Sequence, residues 1–196
     1  MHKGITSPIS PSATWIVVPS WLRSAGIVLV GSLLLAICAH VSVPLGFAPV
    51  PLSLQPFGVL LLGLLLSPRI AVTTLVAYLA EGAVGLPVFA PTAIGGMAHL
   101  LGPTGGYLMA YPVSAGLISF LWRRKGRGFS MALFSAALGD LLILASGAAW
   151  LAVGTHAMRW PAISAGMLTF VPGDALKVAV AAGIAAGWQS TRRQHQ

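Results

Sequence analysis

Only three acidic side chains occur in the chain, Glu81, Asp140 and Asp174, and each stands in or at the edge of a long apolar run. A carboxylate at membrane depth costs at least about 2.5 kcal/mol, so each is a candidate for function. The most informative cluster is Pro172-Gly173-Asp174-Ala175-Leu176-Lys177. An acid and a lysine three residues apart share one face of a helix, where an acceptor and a cationic donor can meet one ligand edge. Proline followed by an acid is also a helix-start signal, so the last helix is expected to begin at Pro172, with the positive end of its dipole beside the pair. The alternative reading is an ion pair that neutralises itself and caps the helix. Asp140, which follows Gly139, and Glu81 are read as partners in helix–helix hydrogen bonds. Gln55, Ser53, His40 and Tyr107 add polar groups near the ends of apolar runs. His40 and His99 read as packing residues, and Trp150, Trp160 and Tyr111 as interface anchors rather than stacking platforms.

Catalytic chemistry finds little support. No H-E-x-x-H, G-x-S-x-G or Walker A pattern occurs, and Ser146 and His156 are too weakly marked to form a nucleophile and base. Cys38 is the single cysteine and lies in an apolar run, so neither an intrachain disulfide nor a multi-cysteine metal site is possible. We expect no enzymatic activity, no cofactor and no metal, and any uphill transport would need a partner that hydrolyses ATP.

These side chains must be positioned by membrane-embedded elements. Of the 196 residues, 57% are hydrophobic and 7% charged, against about 25% charged in a soluble domain. Proline, glycine and arginine divide the chain into six apolar spans, approximately Leu22–Val43, Leu54–Leu66, Ile70–Gly85, Thr104–Trp122, Phe129–Val153 and Pro172–Trp188. Ser67-Pro68-Arg69 allows only a tight reversal between the second and third. With both termini inside, Lys3, Arg23, Arg69, Arg123, Arg124, Lys125, Arg127, Arg192 and Arg193 all fall on the cytoplasmic side; Arg159 alone falls outside and Lys177 lies within a span. That bias is the positive-inside pattern, and it accounts for the net charge of +8 without a nucleic-acid partner.

The expected fold is therefore all-α and polytopic, with six transmembrane helices and both ends inside. Residues 1–21 and 191–196 would be cytoplasmic tails around one membrane domain, 22–190. A cleaved signal peptide fits poorly, since the first apolar run is too long. The outer loops 43–53 and 86–103 are apolar and dense in Pro and Gly. Such backbone either folds over a cavity as a lid or dips into the membrane interface.

Four segments, taken together, resemble the BioY family, the biotin-specific S components of energy-coupling-factor (ECF) importers. They are Pro49-Val50-Pro51-Leu52-Ser53-Leu54-Gln55 with Gly58-Val59-Leu60, Gly85-Leu86-Pro87-Val88-Phe89, Gly102-Pro103-Thr104-Gly105-Gly106-Tyr107, and Pro172-Gly173-Asp174 with Lys177. The resemblance runs from about Leu22 to Trp188. It implies a six-helix S component in a bacterial inner membrane that captures biotin from outside and works with an ECF coupling protein and two ATPases. Ligand contacts carried over by the resemblance are Asp174, Lys177, Tyr107, Gly105 and Gly106, then Gln55 and Phe89. Members of the family resemble one another in docking through an Ala-x-x-x-Ala pattern on the first helix. The nearest match here is Ser32 to Ala36, with Ser in place of the first Ala. The alternatives are an S component for another vitamin or, from a different class, an intramembrane enzyme or a scaffold.

Overall fold

A computed structural model describes residues 19–44, 50–91, 95–124, 126, 128–154 and 160–194. Its helices are α1 Ser20–His40, α2 Gln55–Leu65, α3 Pro68–Ala83, α4 Met97–Leu101, α5 Gly105–Arg124, α6 Phe129–Gly154 and α7 Trp160–Gln194. A small antiparallel ribbon joins β1 Ser42–Val43 to β2 Leu52–Ser53, with Ser42 opposite Ser53 and Val43 opposite Leu52. Each of the six apolar runs holds a helix, α1, α2, α3, α5, α6 and the latter part of α7, while the ribbon and α4 give the two outer loops local structure that their irregular composition does not announce.

Prolines start the two short helices where a missing N–H does no harm: α2 reads Gln55-Pro56 and α3 opens on Pro68. The reversal between them leaves the last carbonyls of α2 without helical partners. Ser119 and Arg123 of α5 supply donors, Ser119 Oγ to the Leu66 carbonyl at 2.6 Å and Arg123 Nε to the same oxygen at 3.3 Å. This contact places Arg123 at the end of the bundle that also carries Arg23 and Leu66 side by side.

Helix α5 packs against α2, α3, α4 and α6 and forms the centre of the bundle. The periphery is apolar as well: Leu29, Leu33 and Ile37 of α1, Val113 of α5 and Leu176 of α7 are all exposed. A helix apolar inside and out is built for lipid rather than water. Among the described residues, three stretches, Ser20–His40, Phe129–Gly154 and Phe170–Arg192, are helical, long and apolar enough to cross a membrane.

One expectation is overturned. Pro172 does not begin the last helix; α7 starts at Trp160 and runs through Pro172 without a break. The proline removes one backbone hydrogen bond, but ending a helix in an apolar medium would strand several more donors and acceptors. Asp174 is therefore an interior helical residue, and no free helix N-terminus adds its dipole to the Asp174–Lys177 pair.

Candidate ligand-binding site

At the end of the bundle away from Arg123, the helices enclose a cavity of about 560 Å³, including its opening to the surface. Three helices line it with stripes at helical spacing: Tyr107, Leu108 and Tyr111 from α5, Asp140, Ile143 and Leu144 from α6, and Phe170, Asp174 and Lys177 from α7. Gln55 and Pro56 enter from the first turn of α2. The outer loops complete the wall with Val50, Pro51 and Ser53 on one side and Ala90 on the other, and Thr104 precedes α5. The described parts of both loops thus fold against the cavity.

Several of its polar groups hold partners within the protein. Lys177 Nζ donates to Asp174 Oδ1 at 2.8 Å, with side chains 10% and 6% exposed. A buried pair of this kind offsets its own desolvation only partly, so further hydrogen bonds improve it. Gln55 Nε2 donates to Tyr78 Oη at 2.7 Å, and Tyr78 Oη donates to the Val88 carbonyl at 2.9 Å. A relay of two hydrogen bonds thereby connects the cavity wall to an outer loop. Asp140 is 6% exposed, and its Oδ1 is buried with no hydrogen-bond partner among the described residues.

Of the sequence-derived contacts, Asp174, Lys177, Tyr107 and Gln55 meet in this cavity, and Gly105, Gly106 and Phe89 do not line it. The glycines serve helix packing. A Cβ on Gly106 would stand 2.2 Å from Trp150 Cβ, and one on Gly105 would stand 2.0 Å from the Leu100 carbonyl oxygen. Trp150 covers this crossing and donates Nε1 to the Gly102 carbonyl at 3.0 Å. Phe89 anchors its loop instead: its ring lies edge-on to Tyr78, stacks on His99 at 5.0 Å, and occupies the space a Cβ on Gly82 would need.

Ser32 and Ala36 are buried in the bundle. The Ser32 hydroxyl donates to the Glu81 carboxylate, the helix–helix bond expected of Glu81, because a hydroxyl facing lipid would lose its partner. The outward face of α1 consists of Leu29, Val30, Leu33 and Ile37. Asp140, expected to bond another helix, faces the cavity instead. Ser114 Oγ, which approaches that stretch of α6, donates to the Gly139 carbonyl at 2.8 Å. Tyr111 is also a wall residue and not an interface anchor; its spacing four residues after Tyr107 carries that signal. His40 bonds the Ala36 carbonyl of its own helix through Nδ1 at 2.8 Å.

An all-helical membrane protein with an enclosed, sparsely polar cavity at one end is a membrane-embedded small-solute binder. The chain belongs to the BioY family, whose sequence model matches residues 9–194. It is 41% identical over 154 residues to a Pyrococcus horikoshii protein described as a probable biotin transporter BioY, covering 78% of this chain and 87% of the relative. The biotin transporter BioY of Thermotoga maritima is 40% identical over 152 residues, covering 78% and 87% in the same way. A crystal structure of the S-component for biotin from an ECF-type ABC transporter superposes with a TM-score of 0.79 at 26% identity, over 89% of this chain and 95% of that one.

Proposed function

We propose that this chain is the substrate-binding membrane subunit of a biotin importer, capturing biotin from outside and delivering it with an ECF coupling protein and its ATPase subunits. The observation that carries the reading is the buried Asp174–Lys177 pair inside a cavity walled mainly by apolar and aromatic side chains, with Gln55 and Asp140 among its few other polar groups. Biotin presents a compact bicyclic ring with a cyclic urea, one carbonyl acceptor flanked by two N–H donors. An ammonium donor and a carboxylate acceptor on one helical face suit that edge, and the apolar wall suits the thiophane ring. Gln55, whose Nε2 is engaged by Tyr78, stands in the same wall.

The same reading places six crossings in a bacterial inner membrane with both termini cytoplasmic. It makes 1–21 and 191–196 tails around the membrane domain, because Arg23, Arg69, Arg123, Arg124 and Arg192 stand at helix ends of one side. The short α2 and α3, about 16 and 24 Å at 1.5 Å per residue, cross only where the bilayer thins around them. ATP is used by the partner subunits and not by this chain.

The test is equilibrium binding of biotin to the purified chain in detergent, with thiamine and riboflavin as controls. We expect selective biotin binding that Asp174→Asn weakens more than tenfold, a loss of about 1.4 kcal/mol or more. Selective binding of another vitamin would keep the S-component class and change the ligand. Failure of the folded protein to bind any of them would overturn the reading.

A further inference from the structure

We infer that Asp140 is a ligand-contacting, specificity-determining residue: its carboxylate accepts one ureido N–H of biotin while Asp174 accepts the other and Lys177 donates to the urea carbonyl. The inference rests on the biotin reading above and deepens it.

Three observations lead there. Asp140 sits mid-helix in α6, is 6% exposed, and lines the same cavity as Asp174 and Lys177. Its Oδ1 has no hydrogen-bond partner among the described residues. Two nearby donors bond elsewhere, Lys177 to Asp174 at 2.8 Å and Ser114 to the Gly139 carbonyl at 2.8 Å. A buried carboxyl oxygen left without a donor is destabilising, and a structural role would have given it one. A partner arriving with the ligand accounts for the vacancy.

The charges then count correctly. One cation and two carboxylates face the cavity, and a cyclic urea offers one acceptor between two donors. Each polar atom of the urea finds a complement, and each charged group of the site gains a neutral hydrogen bond that asks for no further ion. A site built to hydrogen-bond both N–H groups rejects ligands that lack either, since a buried carboxylate would be left bare.

The experiment measures binding of biotin, and of its two isomers methylated on one or the other ureido nitrogen, to the full chain in detergent, using the wild type, Asp140→Asn and Asp140→Ala. We expect wild type to bind each isomer more than tenfold more weakly than biotin, and Asp140→Asn to bind biotin more than tenfold more weakly than wild type. Asp140→Ala should improve binding of one isomer only, the one whose methyl group fills the space of the lost carboxylate. Biotin affinity unchanged in Asp140→Asn overturns the inference, as does either isomer binding wild type as tightly as biotin. The wild-type measurements decide the matter even if both variants misfold. Intact biotin binding with undiminished isomer binding would overturn this inference alone, whereas no biotin binding by wild type would overturn the biotin reading and this inference with it.

Discussion

The two ends of the bundle draw on the same four helices, α2, α5, α6 and α7, and use them oppositely. At the end carrying Trp122, the contacts are Leu60 and Leu64 against Ile118, with Ala132, Ala136, Ala181, Ala182 and Ala185 bringing the backbones close, and these side chains are all buried. At the other end the same helices present Gln55, Tyr107, Tyr111, Asp140, Asp174 and Lys177 around open space. Alanine seams fill volume with backbone and need no partners, so that end can be dry and tight. Large polar side chains hold walls apart, and that end can admit a solute. The bundle thus separates the task of staying folded from the task of binding, with the boundary falling within single helices: on α7, Lys177 and Val178 are adjacent residues serving different ends.

That division can be broken most severely at the polar end. Lys177→Ala would leave Asp174 buried without its cation, at a cost of about 3–5 kcal/mol for a broken buried pair. We expect a lowered Tm in detergent without ligand, together with loss of biotin binding; an unchanged Tm would mean that the pair is exposed to water. The dry end is tested by overfilling it. Ala136 is fully buried, and Ala136→Leu forces extra methylenes into the α5–α6–α7 seam, costing about 1–3 kcal/mol. The expected signature is a lowered Tm with biotin affinity within about twofold of wild type, roughly 0.4 kcal/mol. A large fall in affinity in the folded variant would show that the two ends are mechanically coupled.

How much of this is legible in the sequence follows from the same contrast. Span positions are legible because Pro68, Gly102, Pro103 and the Arg123–Arg124 cluster punctuate the apolar runs, and because buried charge is rare enough that Asp174 and Lys177 stand out. Helix continuity through Pro172 is not legible, because proline signals a helix start in water while lipid penalises any break more than a lost hydrogen bond. Glycine has a similar ambiguity. The Gly105-Gly106 pair reads equally as room for a ligand or room for a neighbour, and only the position of Trp150 decides for the neighbour. Asp140 and Ser32 depend on helix rotation, which an all-round apolar helix does not encode in its periodicity. Tyr111 is the residue the sequence does carry, through its four-residue spacing from Tyr107.

The smallest expected effect probes a hydrogen-bonded connection between the cavity and the loop above it. Tyr78 is fully buried, receives the Gln55 amide and donates to the Val88 carbonyl, while Phe89 lies edge-on against its ring. Tyr78→Phe keeps the ring, and so the Phe89 contact, but removes both hydrogen bonds at once. Val88 is half-buried and can recruit water for its carbonyl, so the main loss is the fixed orientation of Gln55 and of the loop segment leading to Ala90. At about 1 kcal/mol per net hydrogen bond, we expect biotin affinity to fall about fivefold. Gln55→Ala in the Tyr78→Phe background should then add less than it does alone, because both substitutions cut the same chain. Strict additivity of the two would separate loop anchoring from ligand contact and place Gln55 in direct hydrogen bonding to the ligand without help from the relay.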